Sequence, residues 1–354
     1  MTTSAASPSG ELALMPVRIQ NRRYLGNKFR LLPQLEAIVK EKCGGAIRSF
    51  CDLFAGTGVV GHRFNAPDRR IIANDLLYSN YVPLYAWLAP ENFRRRKLQE
   101  ILRHLNALEP DGDNYMSRHY GGTYFSMDNA RKIGAIREEI DVIERQEGLN
   151  FKEKCILLTS LLYAMDKVAN TCGHYDAFRR KLDTWSRLEL RMPYIEQEKN
   201  RFNEIHCADA NQLARSLSCD VLYIDPPYNS RQYSDTYHLL ENVMKWEKPP
   251  VYGVARKMDR SAIKSEYCLK RAPQAFEELI ASVDCRYILV SYNNMAEKGD
   301  GRSNARITDE QIMESLSRRG DPLFFEFDYR QFTTGKSSLE NHTERVFFVE
   351  VKKR

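Results

Sequence analysis

No apolar stretch of this chain approaches the ~20 residues needed to span a bilayer, and the opening MTTSAASPSG has neither a basic start nor an apolar core. A membrane span and a secretory signal are both excluded, so the expected location is cytoplasmic, at the nucleoid once the partner below is taken into account. Cysteine pairing is missing too. The eight cysteines (Cys43, Cys51, Cys155, Cys172, Cys207, Cys219, Cys268 and Cys285) form no Cys-x-x-Cys pair and have no histidine at ligand spacing, so they read as reduced and mostly buried. His174 and His238 have no partner at i, i+4 and read as packing residues, so no metal is expected. Repeats and low-complexity tracts are absent. The Gly-x-Gly-x-x-Gly spacing of dinucleotide binders and the Gly-Lys-Ser/Thr of phosphate loops do not occur, which disfavours a pyrophosphate ligand.

What is present is a globular composition, 43% hydrophobic and 28% charged. The net charge of +6 and pI near 8.8 suit a polyanionic partner but stay below the pI of ~9 at which charge becomes a signature. At 354 residues the chain exceeds one average domain. We expect a flexible tail over 1–18, a catalytic domain from 19–89 and 201–354, and an inserted, mainly helical substrate-reading domain over 90–200. The expected oligomer is a monomer or weak dimer.

The fold class expected is α/β. IRSFCDLF, AGTG, VVGHRF and RRIIAND follow one another as strand, loop, helix and strand, the pattern of a parallel sheet. VLYI, RYILVSYNN, DPLFFEFDY and RVFFVEVKK supply further strands. The last two lack an intervening helix and predict an antiparallel hairpin on a mostly parallel sheet. Between the halves lie helices with charged faces, joined by the aromatic, glycine-rich NYMSRHYGGTYF.

In FCDLFAGTGVVG, Phe54 leads into Gly56 and Gly58, which let a ligand approach the backbone. By itself such a loop is more often a tight turn than a nucleoside site. Asp75 ends the next strand about 20 residues on, the position from which an acid accepts from a ribose diol, and Asp52 stands ready for an ammonium. The cofactor without a pyrophosphate that matches is S-adenosylmethionine. Asp209 has two readings, a contact to the adenine side of that ligand or a helix N-cap.

The sharpest motif is Asp225-Pro226-Pro227-Tyr228 after VLYI. Two prolines fix the backbone and donate no hydrogen bond, which exposes carbonyls. An aromatic amine is a poor nucleophile, so methylating it requires acceptors for both N–H groups; Asp225 and the Pro226 carbonyl are those acceptors. Tyr228 offers a face for an extruded base, worth ~1–3 kcal/mol. An Asp225 locked in an ion pair away from the glycine loop is incompatible with this chemistry.

With these motifs in this order, the chain resembles the Dam-like, alpha-group DNA adenine methyltransferases, which have a Rossmann-like fold. The resemblance runs through both ends of the chain and leaves the middle third without a match. It implies that Tyr24, Gly26 and Lys28, in RYLGNK, lie beside the methionine part of the cofactor. Phe54, Gly56 and Gly58 take the glycine-loop role, Asp75 the ribose role and Asp225 to Tyr228 the catalytic one. The implied activity is methyl transfer to the N6 amine of a flipped adenine in double-stranded DNA, by a restriction-modification or orphan methylase, with any cognate restriction endonuclease a separate protein.

Expected DNA contacts are Asn229, Arg231 and Tyr233 beside the catalytic motif, Arg118 and His119 in a groove-entering loop from Tyr115 to Phe125, and Arg179 with Arg180. Arg94 to Lys97 and the cluster around Arg256 read either as phosphate contacts or as solvated faces. Rival functions are methylation of an RNA adenine, methylation of the cytosine N4 amine, or silent nucleic-acid binding. Carbon-5 cytosine chemistry is disfavoured, because no cysteine follows a proline.

Overall fold

The computed structural model describes residues 15–181, 186–293, 305–328 and 343–352. In chain order its first elements are α1 (Leu32–Lys42), β1 (Ser49–Asp52), α2 (Val59–Phe64), β2 (Arg70–Asn74) and α3 (Tyr78–Leu88). The middle of the chain is helical, with α4 (Arg95–Ala107), α5 (Tyr115–Tyr120), α6 (Met127–Glu147) and α7 (Phe151–Val168). Then come β3 (Glu204–His206), α8 (Ala210–Ala214), β4 (Ser218–Ile224), α9 (Tyr233–Thr236) and α10 (His238–Lys245). The chain closes with α11 (Ala272–Ser282), β5 (Asp284–Asn293), α12 (Asp309–Ser317), β6 (Leu323–Asp328) and β7 (Thr343–Glu350).

Among the described residues, seven strands form one sheet in the order β3-β2-β1-β4-β5-β7-β6. The first five run parallel. β7 lies antiparallel between β5 and β6, so the expected hairpin forms and its second strand inserts next to the parallel block. This is the Rossmann-like arrangement the sequence predicted.

Both faces of the sheet are covered, which is why its strands read as unbroken apolar runs. Phe50, Val221, Tyr223 and Leu289 belong to one core with α1–α4, α6, α7 and α10. Their neighbours Cys51, Leu222, Ile224 and Ile288 pack in a second core with α8, α11 and α12. Apolar residues of the 90–200 region, such as Leu98, Ile133 and Leu161, join the first core. That region is therefore fastened to the sheet through shared packing.

The long helix α7 starts at a capping box. Asn150 accepts from the Glu153 N–H at 2.9 Å and Glu153 accepts from the Asn150 N–H at 3.1 Å. Residues 1–14 of the expected tail lie outside the described residues. Val17 is held: it is buried, and its N–H donates to the Met192 carbonyl at 3.1 Å.

Candidate active site

A cleft of about 950 Å³ opens at the carboxyl ends of β1, β2 and β4, where the strand order switches direction between β1 and β4. Asp52, Phe54, Gly56, Asp75, Asp209 and all of Asp225 to Tyr228 line it, together with Tyr24, Gly26 and Lys28. Motifs from the two ends of the chain thus meet in one place.

Gly56 sits at φ +55° and donates its N–H to Asp75 Oδ2 at 2.9 Å, while the Leu77 N–H donates to Oδ1 at 2.9 Å. Asp75 therefore ties the end of β2 to the glycine loop. Gly58, at φ +81°, has a different task and does not line the cleft. A Cβ there would stand 2.5 Å from Leu84 Cδ2, so Gly58 lets α2 begin against α3. Asp52 is buried and accepts from the Gly61 N–H at 2.9 Å. Burial pushes its carboxyl up to about 7. Burial likewise raises Asp75 to about 6, against the donors at Leu77, Asn80 and Gly56. Asp209 caps α8 by accepting from the Gln212 N–H at 3.0 Å and also lines the cleft, so its two readings coexist.

Asp225 follows β4 and meets Lys28 Nζ at 2.9 Å; the same Nζ lies 2.9 Å from Glu344 of β7. Burial raises Asp225 to about 6 while Lys28 pulls it back. Lys28 loses by burial, but Asp225 and Glu344 outweigh that and hold it well above the ordinary lysine value. The ion pair lies within the glycine-lined cleft, so it does not remove the carboxylate from the site. The Tyr228 carbonyl accepts from the Tyr292 hydroxyl at 3.2 Å and the Arg306 N–H at 2.8 Å, which anchors the proline turn.

An aromatic wall closes the cleft. Tyr24 stacks on Tyr237 with ring centroids 4.6 Å apart, and Tyr233 packs against both, 5.5 Å from Tyr24 and 6.1 Å from Tyr237. The Tyr24 hydroxyl accepts from Asn80 at 2.9 Å, and the Arg22 guanidinium covers the ring at 5.0 Å. A Cβ on Gly56 would meet Tyr24 Cε1 at 3.1 Å, and one on Gly26 would meet the Tyr233 hydroxyl at 3.1 Å. Tyr233, expected at the nucleic acid, thus lines the cleft beside Tyr24, in the same pocket as Tyr228.

The other expected contacts divide. Arg231, Arg179, Arg180 and Arg118 are exposed, and Asn229 accepts from the Arg231 N–H at 2.9 Å. The expected Tyr115–Phe125 loop begins instead as helix α5, capped by Asn114. Its tyrosines are turned inward: Asn242 donates to the Tyr115 and Tyr120 hydroxyls at 2.8 and 2.9 Å. Arg118 and the half-buried His119 stay toward solvent. The Arg94–Lys97 cluster is mostly engaged in structure, with Arg94 on Glu153 at 2.5 Å and Lys97 on Glu147 at 3.0 Å. His238 bonds the Tyr175 carbonyl at 2.9 Å, a packing role, and burial lowers it to about 4.

Glu344, Tyr237 and Asn80 escaped the sequence reading. Glu344 left a signal: in TERVFFVE it shares the inward parity of Val346 and Phe348 and is buried, and a buried acid demands a cation.

With this geometry in place, comparison with known proteins is decisive. Residues 24–298 match the model of the D12 class N6 adenine-specific DNA methyltransferases. The chain belongs to that family. It is 34% identical to the type II methyltransferase M.NlaIII of Neisseria lactamica over 336 residues, 92% of this chain and 96% of that protein. It is also 34% identical to the modification methylase StsI of Streptococcus sanguinis over 288 residues, 77% of this chain and 44% of that protein. Against M.FokI of Planomicrobium okeanokoites the identity is 30% over 348 residues, 93% of this chain and 52% of that protein. The chain thus spans about half the length of the last two. It is an N6-adenine DNA methyltransferase, which sets aside the RNA and N4-cytosine alternatives. Methyltransferases of this kind generally take their methyl group from S-adenosylmethionine. No helix among the described residues is long and apolar enough to cross a membrane.

Proposed function

We propose that the chain binds S-adenosylmethionine in the cleft between Tyr24, Gly56 and Asp75 and methylates an adenine extruded from duplex DNA against Tyr228, as the modification enzyme of a restriction-modification pair. The observation that carries this is the convergence of Asp225, Lys28 and the glycine loop in one cleft. The donor set fits the cofactor: burial holds Asp52 and Asp75 above the ordinary carboxylate range, and an ammonium and a sulfonium in the cleft would favour their ionised forms. When bound, the cofactor supplies an electrophilic methyl group.

The residues of the chain then do the rest. Asp75 offers its remaining lone pairs to a ribose diol while holding Gly56 in place. Lys28 occupies Asp225 Oδ1 and favours the ionised form, so that the second carboxylate oxygen and the Pro226 carbonyl accept the two N6–H groups. Residues 90–200, the exposed Arg118, Arg179, Arg180 and Arg231, and the half-buried Asn229 serve the duplex. A separate cognate endonuclease fits the names of the relatives.

Labelled methyl transfer to duplex DNA, single-stranded DNA and RNA, followed by single-molecule sequencing of the DNA, tests this. Duplex DNA carrying N6-methyladenine at a defined sequence is expected; label confined to RNA overturns it. Asp225→Ala abolishes transfer while cofactor binding stays measurable by calorimetry; unchanged turnover means the catalytic site lies elsewhere.

A further inference from the structure

Beyond the catalytic motif the chain builds a short hairpin with no role in the site described. The Tyr252 N–H donates to the Lys257 carbonyl at 2.8 Å and the Lys257 N–H returns to Tyr252 at 3.0 Å. The turn between them passes through Gly253 at φ +68° and Arg256 at φ +51°, a left-handed conformation that is uncommon for a side chain as long as arginine. It is held from below: the Tyr124 hydroxyl donates to the Ala255 carbonyl at 3.0 Å and the Tyr120 hydroxyl to that of Arg256 at 3.4 Å. A pre-set turn of this kind presents apolar side chains to water. Val254 is 83% exposed and Tyr252 67%, with Arg256 exposed beside them.

The base of the hairpin touches the catalytic region. Lys257 pairs with Asp176 and lies 3.9 Å from Asp235, and Arg260 reaches the same Asp235 at 2.6 Å. Asp235 adjoins Ser234, which lines the cleft, as do Ile263 and Ser265 further on. From Val254 to Ile263 the chain extends at most about 30 Å, so the tip stands within one or two turns of duplex from the cleft mouth. Arg118 acts with Arg256 on His119, and Arg231 acts with Lys257 on His174, so these two exposed arginines stand near the hairpin and give this face a charge that suits a polyanion.

Given methylation of duplex DNA as proposed above, we propose that the 252–257 hairpin is a wedge that enters the duplex beside the target adenine, placing Tyr252 and Val254 between base pairs and Arg256 on a flanking phosphate. Apolar side chains inserted at a base step unstack it and lower the cost of extruding a neighbour.

The test uses the full chain, a duplex carrying the mapped target, and the same duplex with an abasic site opposite the target adenine. Tyr252→Ala and Val254→Asp are expected to lower kcat/KM on the paired duplex by about tenfold or more, to stay within about threefold of wild type on the abasic duplex where unpairing is already done, and to keep the wild-type cofactor affinity. Arg256→Asn, which tolerates the left-handed backbone, makes the log–log salt dependence of duplex binding shallower by about 0.9. Equal losses on both duplexes, or none on either, overturn the wedge. So does a change in sedimentation with unaltered methylation, which assigns the tip to self-association. If the wild type itself methylates no adenine, the functional reading fails; if it does and the variants match it, the wedge alone fails.

Discussion

Lys28 carries more of the site than its place beside the cofactor implied. It is buried between two acids, each 2.9 Å from its Nζ, and removing the cation from such a group strands both carboxylates. In Lys28→Met, Asp225 gains protons more readily. On the proposed mechanism Asp225 accepts an N6–H in its ionised form, so the acidic limb of the kcat–pH profile, expected near 6 from the wild-type carboxyl, moves upward. An unshifted limb in the variant separates Lys28 from catalysis. The Asp225 end of this network was legible from its tetrapeptide. The Glu344 end was not, because nothing local tells an inward-facing acid near the end of the chain that its cation stands near the beginning.

At the level of elements, Gly58 shows how the glycine loop divides its labour. Gly56 faces the cleft, whereas Gly58 begins α2 in a left-handed conformation with Leu84 of α3 pressed against it. Gly58→Ala meets both the backbone penalty and the overlap, together about 2–4 kcal/mol. Urea melts of the folded protein should show that loss, and a change below about 0.5 kcal/mol refutes the packing role. The period-3.6 pattern disclosed α4, α6 and α7, and unbroken apolar runs disclosed β1, β4, β5 and β7. Helix α5 read as a loop because so short a segment, followed by Gly121-Gly122, carries too little periodicity. What makes it helical is the Asn114 cap together with Asn242, a residue distant in sequence that claims both its tyrosine hydroxyls.

Over the whole molecule, the cleft concentrates acids that the surrounding protein does not fully neutralise, despite a net charge of +6. Burial raises Asp52 from 3.8 to about 7. For an acid shifted upward, the folded state binds the proton more tightly than the unfolded chain, so stability falls as pH rises from about 4 to about 7, and the full cost of up to about 4 kcal/mol is present above that. Asp52→Asn keeps an acceptor for the Gly61 N–H and removes the charge. The unliganded variant should therefore melt higher than wild type at pH 8 and nearly level with it at pH 5, while binding S-adenosylmethionine more weakly. Calorimetry on the wild type should show affinity for the cofactor rising between pH 5.5 and 8, since its cationic groups favour the ionised carboxylates. Equal melting shifts at both pH values would mean that Asp52 does not carry a burial-raised proton.

The α/β class, the order of the strands along the chain and the terminal hairpin were all settled by sequence alone, because they follow from residue type and short-range spacing. Which side chains share a wall was decided only by the tertiary structure. Tyr233 came to stand beside Tyr24 in the cleft wall, Arg94 became an anchor for Glu153, and Gly58 became a packing residue. Such pairings depend on how segments remote from one another in the chain come into register, and local pattern carries no record of that.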